Sequence, residues 1–134
     1  MRPLLAALVL AAFVPASPAP AGDEWRIARV WSPSASKSLD LPPEAEAKTM
    51  AAIVPPGRLS LNVGCNDISA KGLNQDGTAL FDAPAQTRMA CPPDLASLEG
   101  AVLAALKLVR SHERTGNEMI LRDGQGKEVL ALIR

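Results

Sequence analysis

Three kinds of hydrophobic spacing run along this chain, and each predicts a different element. Residues 4–14, Leu4 to Val14, are apolar without interruption. The stretch is too short to span a bilayer, which takes ~20 residues. A period of two follows: over residues 24–31, Trp25, Ile27 and Arg29 take one side of an extended segment and Arg26, Ala28 and Val30 the other. Leu59, Leu61 and Val63 alternate with Ser60 and Asn62, which predicts a strand over 58–63, joined to a strand over 50–54 by the turn Pro55-Pro56-Gly57. Gly64-Cys65-Asn66-Asp67 and Asn74-Gln75-Asp76-Gly77 read as turns, the second leading into an extended 78–82. The period then changes to 3.6, since Leu95, Leu98, Val102, Leu106 and Val109 recur at gaps of three and four and form one helical stripe. Pro92-Pro93-Asp94 suits the start of that helix, with Asp94 as cap or in the first turn. Segments 111–115, 118–122 and 127–133, separated by Gly116-Asn117 and Asp123-Gly124-Gln125-Gly126, predict a closing meander of strands. The stretch 32–49 reads as loop, with a short helix over 44–52 in which Glu44 and Lys48 stand at i, i+4.

Strands, one main helix and more strands, without alternation of the two, predict an antiparallel α+β domain and disfavour a parallel doubly wound sheet. The amino terminus is a separate matter. Arg2, the apolar run and the small residues Ala19-Pro20-Ala21 form the three regions of a secretory signal peptide with a cut after Ala21. Residues 1–21 are therefore read as signal peptide and 22–134 as a single domain, periplasmic or secreted, with no stable membrane anchor after cleavage. Fourteen basic and fourteen acidic residues balance, so nothing recommends nucleic acid as a partner. Twelve prolines and two phenylalanines leave a modest apolar core, to which a covalent cross-link would add stability.

Two segments carry a resemblance: Gly64-Cys65-Asn66 at the end of a strand, and Thr87-Arg88-Met89-Ala90-Cys91-Pro92 just before a helix. The pairing resembles the META domain (HslJ-like) family, in which a first strand with a tryptophan, a GCN turn, a T-x-M-x-C segment, a helix with a glutamate and a closing strand pair succeed one another. Trp25, Gly64, Cys65, Asn66, Thr87, Met89, Ala90, Cys91 and Glu99 occupy those places. The resemblance implies a mostly antiparallel sheet, curved into a partial barrel and packed on one main α-helix. It also implies a link to envelope stress and no established enzymatic activity. The chain departs from the pattern in having no tyrosine, and no cysteine directly after the apolar run to carry a lipid.

Export, an even count of two cysteines and their placement at both motifs favour a Cys65–Cys91 disulfide, the alternative being two buried free thiols. Catalytic, cofactor and metal constellations are not indicated: His112 stands alone, two cysteines and one histidine make a poor zinc site, and Asp67, Asp76 and Asp82 fit turns better than a calcium loop. Glu99 is the unusual position. At ~100° per residue it falls about 40° from Leu95, inside the apolar stripe. A carboxylate there needs donors, and backbone N–H groups of the 64–67 turn or Arg88 are the expected ones. It is then a polar clamp between helix and turn, a ligand-anchoring acid, or a side chain splayed into solvent. The expected function is that of a non-catalytic accessory or stress-related binding module of the cell envelope, for an envelope protein or an apolar ligand. The alternative is a small exported hydrolase, or an inhibitor of one, acting through loop 66–76. The signal-peptide reading predicts that protein recovered from the host's envelope begins at Gly22, as intact mass measurement will show; retention of Met1 on exported protein contradicts it.

Overall fold

The computed structural model describes residues 23–32 and 36–134, so the signal-peptide reading falls outside the described residues. Nine strands and two helices follow in the order β1 (Asp23–Ser32), β2 (Lys37–Asp40), α1 (Pro43–Glu46), β3 (Met50–Val54), β4 (Arg58–Asn62), β5 (Asp67–Lys71), β6 (Ala85–Gln86), α2 (Pro93–Leu108), β7 (Ser111–Thr115), β8 (Glu118–Arg122) and β9 (Glu128–Ile133). Every pairing between strands is antiparallel. The curved sheet runs β6-β5-β4-β3-β1-β9-β8-β7, with β2 added to β1. This is the expected α+β class, with one main helix against a mostly antiparallel curved sheet.

β1 joins the two halves. Its first residues pair with β3, Trp25 opposite Ala51, and from Arg26 onward it pairs with β9. A register shift between Ile27 and Arg29 bends the strand and changes which side chains face inward. Trp25 and Ile27 are buried before it, Val30 and Ser32 after it. Strict alternation had put Val30 on the face opposite Trp25, and the bulge is the physical reason it sits in the core. Arg29, only half-buried, reaches across to Glu128 at 3.1 Å and to Glu118, and these carboxylates raise its already high pKa. That pairing ties β1 to β8 and β9.

α2 packs on β1 and β9 with Val102, Ala105 and Leu106 buried, and Glu99 is buried nearer its amino terminus. Pro93 occupies the first helical turn and Asp94 follows it there, where the helix dipole favours its charge. The short helix expected over 44–52 ends instead at Glu46, because Met50–Val54 is strand β3. Glu44 and Lys48 form no ion pair; Glu46 meets Arg26 at 3.3 Å, and the Thr49 hydroxyl accepts the Ile27 N–H at 2.8 Å. Strands β2, β5 and β6 were not expected, and 78–82 holds only single bridges, Leu73 to Ala79 and Thr78 to Ser111. Those bridges, with Ala79 N–H donating to Arg110 O and His112 N–H to Gly77 O, link the β5 end of the sheet to β7 at one end of the molecule.

The same end is stitched at two glycines. The Gly57 carbonyl accepts both the Gly72 and Leu73 N–H groups at 3.0 Å. A Cβ on Gly57 would meet Leu73 O at 2.1 Å, and one on Gly72, whose φ is +143°, would meet Leu80 O at 1.9 Å. Gly100, on the exposed side of α2, has nothing within 4 Å of a Cβ. Gly72→Ala is expected to cost at least 1–3 kcal/mol through forced backbone displacement, whereas Gly100→Ala should stabilise by about 0.5–1 kcal/mol through helix propensity. Urea unfolding of the two variants checks both signs.

Candidate functional site

Both family motifs converge at the carboxyl ends of β4 and the loop before α2. Gly64 turns the chain after β4 with φ +115°, its N–H donating to Asn62 Oδ1 at 2.6 Å. The turn delivers Cys65 to Cys91, 6.0 Å away between Cα atoms, and the two form a disulfide. Asn66, 5% exposed, is the centre of the arrangement. Its Oδ1 accepts the Met89 N–H at 2.7 Å and the Thr87 hydroxyl at 3.1 Å, while Nδ2 donates to Met89 O at 3.2 Å. The side-chain amide thus pairs with the Met89 backbone as a peptide group would across a β bridge. Since the Met89 N–H can only donate, it fixes which way the Asn66 amide points. The Met89 side chain itself is exposed, and Ala90 brings its carbonyl to 3.9 Å from Cys65 Sγ.

Glu99 rises from α2 into this knot and is 2% exposed. Asn66 Nδ2 donates to its Oε2 at 3.3 Å and Gln86 Nε2 to its Oε1 at 3.2 Å. The donors are therefore side-chain amides, not turn N–H groups or Arg88. Two of the turn N–H groups bond elsewhere, Gly64 to Asn62 and Asp67 to the Thr87 hydroxyl at 2.9 Å. Arg88 is exposed and is not a partner of Glu99. Gln86 carried no signal in the sequence, because β6, which positions it, is two residues long. The clamp reading of Glu99 matches this geometry: α2, the 64–67 turn and the 86–91 segment all meet on it. Cys65, Cys91 and Glu99 bring ligand-type atoms within 4.8 Å, but the sulfurs are bonded to each other, so no thiolate is left to hold a metal.

The opposite end of β4 and β5 holds an open groove of about 670 Å³. Val54, Pro55, Pro56 and Leu73 give it apolar walls, Gly57 and Gly72 a backbone floor, and Arg58 and Lys71 a cationic side. A smaller hollow of about 220 Å³ shares Pro56, Gly57, Leu73, Asn74 and Gln75 with it and extends to Met119 and His112. His112 Nε2 lies 2.7 Å from Asn74 O, a hydrogen bond that holds the loop rather than a reacting atom. Asp76, at the tip, accepts the Thr78 hydroxyl at 2.7 Å and the Thr78 N–H, which hold its carboxyl below the usual range. Residues 67–71 of the segment 66–76, expected as a loop, are strand β5, and only the later part of the segment borders the groove.

Residues 20–134 match the family profile of the META domain. The chain belongs to the META domain family. The META fold recurs in an NMR structure of a protein from Burkholderia xenovorans, 22% identical, covering 90% of this chain and 96% of that one with a TM-score of 0.61. It recurs in the crystal structure of a DUF4847 family protein from Bacteroides vulgatus, 10% identical, covering 84% and 91% at a TM-score of 0.55. At such identities the likeness is one of fold. No curated protein matches the chain.

Three variants test the META clamp by urea unfolding. Glu99→Ala should cost about 1.5–3 kcal/mol, the range for hydrogen bonds to a charged group. Glu99→Gln should cost less, because the exposed Gln86 amide can turn to present its oxygen while Asn66 keeps its bond. Asn66→Asp, which sets a carboxylate against Glu99 and removes the donors, should cost at least about 2 kcal/mol. Wild-type stability in all three would mean that Glu99 carries no load.

Proposed function

We propose that this chain is an exported, non-catalytic META-type domain of the cell envelope, an accessory or stress-related module that works by binding a protein or an apolar ligand. The observation that carries the proposal is the division of labour between the two ends of β4 and β5. The thiol, amide and carboxyl groups that could do chemistry are spent on one another in the Cys65–Cys91, Asn66 and Glu99 knot. An open concavity lies at the other end, walled by proline, glycine and aliphatic side chains with Arg58 and Lys71 beside them, the mostly apolar lining with a few polar groups that binding pockets have. Export is supported by the pattern of residues 1–21 and by the disulfide, a bond that persists in oxidising compartments. No helix among the described residues is long and apolar enough to cross a membrane.

The test is capture from an envelope extract of the host on immobilised protein, followed by mass spectrometry of what elutes. The expected result is a protein or small apolar molecule retained stoichiometrically, released with its mass unchanged, and lost when Val54, 44% exposed on the groove wall, is replaced by Asp in a variant shown by circular dichroism to remain folded. Release of a chemically altered molecule, or retention indifferent to the groove, overturns the reading.

A further inference from the structure

We infer that the groove between residues 54–58 and 71–75 takes a single-chain amphipathic anion, a fatty-acid-type carboxylate, with its head on Arg58 and Lys71 and its chain along Val54, Pro55, Pro56 and Leu73. The inference rests on the binding-module reading and names the ligand class of that site.

The register of the sheet places Val54 opposite Arg58 and Arg58 opposite Lys71. Directly opposed side chains on neighbouring strands project to the same face with Cβ atoms ~5 Å apart, and like charges so placed repel. A neighbouring acid would normally relieve the repulsion, and here none does. Arg26 and Arg29 meet carboxylates, Arg110 and Arg122 meet carbonyl oxygens, and Arg114 and Arg134 lie over the Trp25 ring. Neither the Arg58 nor the Lys71 side chain has an ion-pair or hydrogen-bond partner among the described residues. The acid on their face of β5, Asp67, is four residues from Lys71, roughly 13 Å along the strand, and is held by Asn62 Nδ2 at 2.8 Å. A bound anion would relieve the opposition of the two cations, and the planar guanidinium can receive both oxygens of a carboxylate.

What distinguishes this site from a general positive patch is the wall beside the charges. Val54 is 44% exposed at the end of the same cross-strand row, and Pro55 and Pro56 continue the apolar surface around the turn. The bonds from Gly72 and Leu73 to the Gly57 carbonyl fix the two sides of the groove relative to each other, so the concavity is preformed. A free phosphate would use the cations and leave the wall wet; a neutral hydrocarbon would use the wall and leave the cations opposed. An amphipathic anion uses both.

Isothermal titration calorimetry of the purified, disulfide-bonded protein tests the assignment, with dodecanoate, dodecanol, acetate and dodecyltrimethylammonium as probes below their aggregation limits. Dodecanoate is expected to bind one per chain, at least ten-fold tighter than each of the others. Arg58→Ala and Lys71→Ala should each weaken dodecanoate roughly ten-fold, as expected for loss of a charged hydrogen bond. Lys71→Glu, whose carboxylate would pair with Arg58 across the strands, should abolish the preference for dodecanoate over dodecyltrimethylammonium. Equal binding of dodecanol and dodecanoate, unmoved by these variants, overturns the anion assignment and leaves the binding-module reading in place. No binding of dodecanoate also overturns the assignment, and the envelope capture then decides separately whether the wider reading survives.

Discussion

A carboxylate inside an apolar face must be met by donors, and most of what is particular to this fold follows from how Glu99 is met. Asn66 supplies one donor, but it can do so only because its other amide atoms are already engaged with the Met89 backbone and Thr87. That engagement requires the 87–91 segment to lie beside the 64–67 turn, the approach that also brings the two cysteines within bonding distance. The covalent bond and the amide network therefore specify the same juxtaposition by independent means. α2 is held at its amino-terminal half by polar contacts and at its other half by Val102, Ala105 and Leu106, so its position on β1 and β9 is determined at both ends.

Much of this was legible in the residues because it rests on local periodicity. The stripe of α2, the alternation in β4 and the three carboxy-terminal strands are all patterns within one element. What escaped notice depends on partners distant in sequence. β5 follows a turn-rich stretch and buries only Ile68 and Ala70, too little apolar character to announce a strand without β4 beside it. β2 and β6 are short and polar, defined by the strand each joins. The bulge at Ile27 and Arg29 is a property of the pairing with β9, so no reading of β1 alone could have placed Val30 inside. At the site, the motif residues were visible and Glu99 could be singled out from helical geometry, yet Gln86 could not, because its role exists only once β6 pairs with β5.

The two ends of the β4–β5 pair are built on opposite electrostatic terms. At one end an acid sits among neutral amides, dry and fully partnered; at the other, two cations stand opposed in solvent beside an apolar wall. Four residue pairs of regular ladder, from Leu59 and Ala70 to Asn62 and Asp67, separate them. The ladder, with side chains such as Ser60 and Ser69 on its outer face, is rigid and chemically plain, so each end can vary in sequence without disturbing the other.

The disulfide also determines what happens when the backbone is broken. It closes a ring from Cys65 to Cys91, and that ring contains the exposed tip at 74–76 and the exposed stretch 85–90. Exposed stretches of this kind are where proteases cut. A single cleavage anywhere inside the ring leaves both fragments on one covalent thread, with the Asn66 and Glu99 contacts still held at its neck. For a domain with so small a core, survival after nicking comes from that connectivity rather than from resistance to the cut.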